Sequence, residues 1–351
     1  MRFPFSLTWA MSRYIIRKKW EKNKKFPMVL MLEPLHRCNL KCCGCGRVRE
    51  YQKTIHQEMT LDDCLHSVDE CGAPIVSLCG GEPLLYQDLP LLIQEILKRD
   101  KHIYLCTNGT LLENALPKLE QIQNRYLKKR LFLNIHLDGP AEIHDKITNQ
   151  SGVFDLALNG IKMAKKAGFL LYTNTTVYRS TTIDSLIEMA KMLHEIPIDG
   201  MMISPAFEFP TVYSEHQTTF KDQSDQQDNF LTRNEIIDFF QQIRIHMKHF
   251  RLTATPVFLD FLCGKLSLDC AAWANPTRNP CGWRSPCYLI GNQHFSTYRD
   301  YIEKTDWDNI GYKKDQRCEN CMTHCGFEPA SVLQIRKIST LIRLALWEIF
   351  S

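Results

Sequence analysis

Cys38-Asn39-Leu40-Lys41-Cys42-Cys43-Gly44-Cys45 interrupts an otherwise ordinary alternation of apolar and amphipathic runs. Three of its cysteines, Cys38, Cys42 and Cys45, stand in a C-x3-C-x2-C spacing. So short a loop can turn three thiolates toward one corner of a cubane cluster. The fourth iron is then left without a protein ligand, open to a small chelating molecule. Soft thiolates select iron–sulfur clusters or zinc, and structural zinc wants four closed ligands, so three in one tight loop point to a [4Fe–4S] cluster.

Working outward from the loop, Val29 to Leu35 is a short apolar run that ends directly at it. Downstream, Thr60 is placed to cap a helix from Leu61 to Cys71. Strand-like runs then appear at Pro74–Cys79, His102–Cys106, Phe132–Leu137, Leu170–Val177 and Gly200–Ser204. Helix-like runs separate them at Leu89–Lys98, Leu111–Leu127, Phe154–Lys166 and Ile183–Glu195, with Glu235–Phe250 following. Six β-then-α units with apolar strands predict an α/β fold, a parallel sheet covered by helices. Right-handed crossovers curl such a sheet toward a partial (β/α)6 barrel, whose ligand sites lie just after the strands.

Composition narrows the class. The chain has 351 residues, 44% of them hydrophobic and 23% charged, as an ordinary globular protein has. A formal net charge of +4 gives no nucleic-acid-binding footprint. No run of about 18 apolar residues is present to span a membrane. The first residues lack the pattern of a secretory signal, so among the fifteen cysteines those clustered as C-x3-C-x2-C and C-x2-C-x3-C read as metal ligands in a reducing cytoplasm and not as disulfides. Cys43, Cys64, Cys71, Cys79 and Cys263 read as ordinary buried thiols. Sequons at Asn108, Asn149 and Asn174 are then chance matches.

The strand ends carry a set of motifs. Gly80-Gly81-Glu82-Pro83 follows the second strand, its glycines permitting close backbone approach and its carboxylate able to accept from an ammonium group. Thr107-Asn108-Gly109-Thr110 follows the third strand, and His136-Leu137-Asp138-Gly139-Pro140 with His144-Asp145 the fourth. On the fifth, Asn174 and Thr176 share a face by the two-residue period, and Ser204-Pro205 closes the sixth. This ordered set, behind the three-cysteine loop, resembles the radical S-adenosylmethionine (SAM) superfamily. The resemblance implies that Cys38, Cys42 and Cys45 hold the [4Fe–4S] cluster whose open iron chelates SAM. It also implies that Gly80, Gly81, Glu82 and Pro83 hold the SAM amino group. Asn108, His136 and Asp138 belong to the superfamily's strand-end turns, Asn174 and Thr176 to the ribose contact, and Ser204 to the adenine. Gly44 departs from the pattern, since many members carry an aromatic residue there.

Beyond residue 255 the pattern changes. Cys270, then Cys287 in a G-x4-C phrase from Gly282, then Cys318, Cys321 and Cys325 in C-x2-C-x3-C, resemble the twitch or SPASM-type auxiliary-cluster modules. Spacing leaves open a second Fe–S cluster, a zinc clip or packed free thiols, and does not choose four ligands among the five. The chain thus divides into a basic amphipathic helix over 1–27, a core barrel over 28–250, a small C-terminal cysteine-rich module over 251–330 and an amphipathic helix over 331–351. A basic amphipathic helix at each end is read either as packing on the core or as peripheral contact with the inner face of the cytoplasmic membrane. Cys106, one residue before the Thr-Asn-Gly turn, is either an ordinary buried thiol or one facing the reaction cavity.

Several phrases are similar to one family within the superfamily. They are Leu32-Glu33-Pro34-Leu35-His36-Arg37-Cys38, Val68-Asp69-Glu70-Cys71-Gly72-Ala73-Pro74, Tyr104-Leu105-Cys106-Thr107-Asn108, Asn275-Pro276-Thr277-Arg278-Asn279, Pro286-Cys287-Tyr288-Leu289, Thr305-Asp306-Trp307 and His324-Cys325-Gly326. Together they resemble the adenosylhopane synthases (adenosyl-hopene transferases) of bacterial hopanoid biosynthesis, from about residue 26 to 330. The resemblance implies reductive cleavage of SAM and addition of the 5′-deoxyadenosyl radical to the alkene of diploptene or a similar polycyclic triterpene. It also implies a flavodoxin- or ferredoxin-type reductant, with Cys106 as candidate hydrogen donor. The polar Phe207–Asn229 stretch has no counterpart in that pattern. Rival readings are a radical SAM enzyme acting on a peptide or another small molecule, and a non-enzymatic Fe–S or zinc protein.

Overall fold

Val29–Leu32 forms strand β1, and the later runs supply β2 (Ile75–Leu78), β3 (His102–Thr107), β4 (Leu131–His136), β5 (Leu170–Val177) and β6 (Gly200–Pro205). Helices Leu61–Cys71, Leu89–Lys98, Leu112–Glu120, Val153–Lys166 and Ile183–His194 cross between successive strands, and Arg233–Ile245 follows β6. The computed structural model describes residues 3–43, 45–207, 230–291, 293–335 and 337–350. Gly44 and all but the first residue of the Phe207–Asn229 stretch lie outside the described residues. The six strands pair in parallel, each beside its sequence neighbour, and no pairing joins β6 to β1 among the described residues. This is the partial barrel that the β-then-α pattern predicts.

Local signals explain most boundaries. Thr60 accepts from Asp63 N at 3.1 Å and Gly72 closes the same helix at φ 69°, a left-handed position that favours glycine. Thr182 and Thr232 cap the fifth and sixth helices by reciprocal side-chain bonds with Ser185 and Glu235. The expected Leu111–Leu127 helix is shorter and is followed by a separate turn of helix at Leu127–Arg130. The first piece ends at Glu120, and Asn124 turns the chain into the second, its side chain accepting from Tyr126 N at 2.8 Å.

The two faces of the sheet carry different chemistry. Val76, Leu78, Ile103, Leu105, Leu133 and Ile135 look outward and pack with the crossover helices in one continuous core. On the inner face, the strand starts supply an apolar cluster of Ile75, Phe132 and Tyr172, with Tyr104 packed against it and Leu7 of the helix Phe5–Trp20 inserted. Two residues further along each strand come Ser77, Cys106 and Asn134: Cys106 pairs with Asn134, and its Sγ lies beside the Ser77 hydroxyl. The next step brings His136 beside Asn174. From strand starts to strand ends the barrel interior is therefore aromatic, then thiol-bearing, then polar.

The cysteine-rich region continues this sheet. β7 (Thr277–Asn279) pairs in parallel with β1, and β8 (Gly282–Ser285) and β9 (Gln293–Phe295) extend the edge antiparallel, giving nine strands in the order β6-β5-β4-β3-β2-β1-β7-β8-β9. Buried polar contacts fix the junction. Trp283 donates its indole N–H to Glu70 at 3.1 Å, and fully buried Arg284 pairs with Glu50 at 2.7 Å and with the Tyr51 hydroxyl. Asn279 donates to the same hydroxyl at 2.9 Å. His36 stacks on Tyr51 at 3.8 Å between ring centroids, and Arg47 pairs with buried Glu33 at 2.5 Å. Single deletions in such a buried charged network are costly, so the hairpin clamps both flanks of the three-cysteine loop.

Candidate functional site

The loop Cys38–Cys45 leaves β1 at the end of the barrel where the polar layer lies. Leu40 N approaches Cys38 Sγ at 3.4 Å, Asn108 Nδ2 approaches it at 3.9 Å, and Cys45 N bonds to Cys42 O at 3.2 Å. Burial pushes the Cys38 thiol up to about 11 and raises Cys42 further, with the neighbouring Cys45 and Cys38 adding to it. Three half-buried thiols on one short loop, whose thiolates would repel one another, favour a cationic partner that displaces their protons. Cys43 points elsewhere, its Sγ toward Lys146 O at 3.7 Å.

The turns expected around SAM converge on this loop. The glycines of Gly80-Gly81 approach the cluster-loop backbone: a Cβ on Gly81 would lie 1.9 Å from Arg37 O, and one on Gly80 2.5 Å from Leu35 O. Gly81 N and Glu82 N donate to Leu35 O and Arg37 O at 3.1 and 2.9 Å. Glu82 is buried and turned inward, accepting from Thr107 Oγ1 at 2.6 Å, Asn108 N at 2.9 Å and Leu84 N at 3.0 Å. Burial lifts it to about 7 against those three bonds. Its carboxylate thus organises the Thr-Asn-Gly turn, while Pro83 begins the short turn of helix after it. Asn108 in turn reaches Asn39 Oδ1 at 2.9 Å.

Across the barrel, Asp138 is fully buried, bonded to His136 Nε2 at 2.7 Å and to Thr176 N at 2.8 Å. Burial works against protonation of His136, but Asp138 outweighs it and raises the imidazole. His144 accepts from Asp138 N at 3.1 Å and is held neutral by burial, down to about 4. Asn174 Oδ1 is buried without a partner on the inner face, where a ribose hydroxyl would satisfy it. Ser204 bonds His324 Nδ1 at 3.0 Å, which ties β6 to the C-terminal cysteine segment.

Cys106 sits one layer below. Its Sγ lies 3.4 Å from Ser77 Oγ and 3.7 Å from Asn134 Nδ2, and burial raises the thiol, keeping it protonated. Asn134 Oδ1 is also buried without a partner. Burial raises the thiol of Cys79 well above its ordinary value, and Glu33 and then Cys106 add to that effect. The signal that finds it is parity: Ser77 and Cys79 share the inner face.

The five later cysteines meet as a set. Cys270, Cys287, Cys318, Cys321 and Cys325 line one small cavity together with Tyr288 and Gly326. Thr323 Oγ1 lies 3.4 Å from Cys321 Sγ and 3.1 Å from Cys325 Sγ. A Cβ on Gly326 would fall 2.4 Å from Cys270 Sγ, so only glycine leaves that thiol its place. Among the described residues, no three His, Cys, Asp or Glu side chains meet closely enough to share one ion. Thiolates attached to separate irons of a cluster need no such convergence, so both cysteine sets suit Fe–S chemistry.

Comparison with known proteins decides the core. Residues 32–193 match the Radical SAM superfamily model. Residues 32–193 are a radical SAM domain. Residues 201–343 match a domain of unknown function, DUF3463. The AdoMet-dependent heme synthase of Methanosarcina barkeri is 31% identical over 185 residues, 51% of this chain and 51% of that protein. The GTP 3′,8-cyclase of Aquifex aeolicus is 28% identical over 177 residues, 48% of this chain and 54% of that one. This chain thus spans about half the length of these curated relatives. Among solved structures, Streptococcus suis SuiB bound to its precursor peptide SuiA superimposes with a TM-score of 0.62 at 15% identity, covering 89% of this chain and 73% of that one. That likeness concerns the fold, and it extends through the cysteine-rich region. A radical SAM domain takes a [4Fe–4S] cluster and SAM; the thiols of Cys38, Cys42 and Cys45 and the unpartnered Asn174 carbonyl suit both.

Proposed function

We propose that this protein transfers the 5′-deoxyadenosyl group of SAM to the terminal alkene of a polycyclic triterpene such as diploptene. The observation that carries the reading is the placement of Cys106, a buried thiol beside Ser77 and Asn134, between the polar strand ends and the aromatic layer of the barrel. The sequence phrases shared with the adenosylhopane synthases support the substrate class.

When bound, the cluster supplies the one electron that splits SAM into methionine and the 5′-deoxyadenosyl radical. The chain's own residues do the rest. Glu82 holds the Thr107–Asn108 turn against Cys38, and Asp138 holds Thr176 and His136 at the ribose side. Tyr104, Phe132 and Tyr172 offer an apolar floor that excludes water and accepts a hydrocarbon ring system. Addition of the radical to the terminal alkene carbon forms a carbon–carbon bond and leaves a tertiary carbon radical. Cys106 gives that carbon a hydrogen atom and becomes a thiyl radical. One further electron from a flavodoxin- or ferredoxin-type donor, with one proton, restores the thiol.

A second reading is favoured by the five-cysteine cavity: a radical SAM enzyme with an auxiliary cluster acting on a different small molecule or a peptide. The relatives' names, which include a heme synthase and a nucleotide cyclase, do not choose a substrate. Anaerobic turnover of reconstituted protein with SAM, a low-potential reductant and diploptene, read by mass spectrometry, separates the two. An adenosyl–hopane adduct is expected; 5′-deoxyadenosine without adduct favours the second reading.

A further inference from the structure

The helix Phe5–Trp20 is apolar on two opposite sides. Leu7 and Tyr14 are buried against the barrel. Phe5, Trp9, Ile16 and Trp20 instead project outward, each between 61% and 85% exposed. At 3.6 residues per turn these four fall within about 60° of one another, roughly opposite Leu7 and Tyr14. Phe5 and Trp9 stack on each other along this stripe at 6.4 Å. Arg13 and Arg17 flank it on one side and Lys19 on the other, all exposed, and Lys22, Lys24 and Lys25 continue the positive charge past the helix end.

A second exposed stripe lies close by. In the helix Ile338–Phe350, Ile338, Leu341, Ile342 and Leu346 are at least half exposed, while Trp347 donates to Ala254 O at 3.2 Å and Arg343 pairs with Asp260. Burial raises the phenols of Tyr104 and Tyr172, and the nearby Glu348 carboxylate adds to it. Those two tyrosines belong to the same cluster that receives Leu7. Both helices therefore cover the strand-start end of the barrel, next to its aromatic layer and opposite the cysteine loop.

We propose that this end of the molecule docks on an anionic lipid bilayer. Exposed tryptophans with a positive rim have the amphipathic chemistry of the bilayer interface, and neither helix is long and apolar enough to cross. The proposal is independent of the substrate reading, although docking here sets the bilayer beside the apolar floor of the barrel.

The test is flotation of the full chain with phosphatidylglycerol and with phosphatidylcholine vesicles, at low and high salt. Binding to phosphatidylglycerol that weakens with salt and is far poorer on phosphatidylcholine is expected. The pair Trp9→Ser and Trp20→Ser lowers partitioning at least about tenfold. The triple change Arg13→Gln, Arg17→Gln and Lys19→Gln lowers it on the order of 100-fold at low salt, while SAM cleavage by both variants stays unchanged as a check on folding. Equal binding to both lipids, or no flotation with phosphatidylglycerol at low salt, overturns the proposal. So does wild-type behaviour of either variant, or a dimer that the tryptophan changes disperse without any effect on vesicles.

Discussion

Cys106 is the residue on which the proposed chemistry turns. Ser77 and Asn134 leave its thiol in the barrel interior, and burial keeps the proton on sulfur at neutral pH. Cys106→Ala should still release 5′-deoxyadenosine and form the adduct skeleton, with the saturated product reduced at least about tenfold and alkene or scrambled stereochemistry in its place. Chromatographic analysis of the product checks this; normal saturated product would show that hydrogen comes from elsewhere. The position of Cys106 was legible in the sequence, because strand parity and the following Thr-Asn-Gly turn place it. The direction of Glu82 was not. An ammonium group and a Thr–Asn turn make the same demand of a carboxylate, and only the folded loop shows that Thr107 and Asn108 take it. Cys79 lacked a signal of its own beyond parity with Ser77.

At the scale of elements, the site depends on how closely two loops approach. The Gly80-Gly81 turn lies directly on the backbone that enters the cysteine loop. Gly81→Ala, with its Cβ 1.9 Å from Arg37 O, must push that backbone away. Loss of the cluster's visible absorbance after anaerobic reconstitution is expected, together with a stability loss of about 2 kcal/mol or more in chemical denaturation. Retention of both would mean that the loops are free to separate. The six β-then-α units could be read from the sequence because long apolar strands and amphipathic helices carry strong periods. The attachment of β7, β8 and β9 to β1 could not. Those strands are three or four residues long, and buried Asn279, Arg284 and Trp283 are placed by distant partners, Tyr51, Glu50 and Glu70, that no local pattern reveals.

The whole molecule is a graded barrel with polar strand ends, a thiol layer and an aromatic floor. That gradient was invisible as such in the sequence, since it arises only when the register aligns residues of several strands. It carries acid sensitivity. Buried His102 and His144 are both held neutral to about 4, chiefly by burial, against an ordinary value of 6.5. Between those values the unfolded chain binds protons that the folded chain refuses, so stability falls as pH drops from 6.5 toward 4. The loss is on the order of one to two kcal/mol per histidine at pH 5, read from denaturation midpoints. His144→Gln and His102→Gln should flatten that dependence; an unchanged slope would place the sensitivity elsewhere.

The central claim is tested most directly by turnover with SAM, reductant and diploptene in D2O. Thiol protons exchange with solvent, so a hydrogen atom delivered by Cys106 should arrive as deuterium. The adenosylated product is predicted to carry one deuterium, located by NMR at the tertiary carbon next to the new bond. Saturated product made in D2O without deuterium at that carbon would contradict the account.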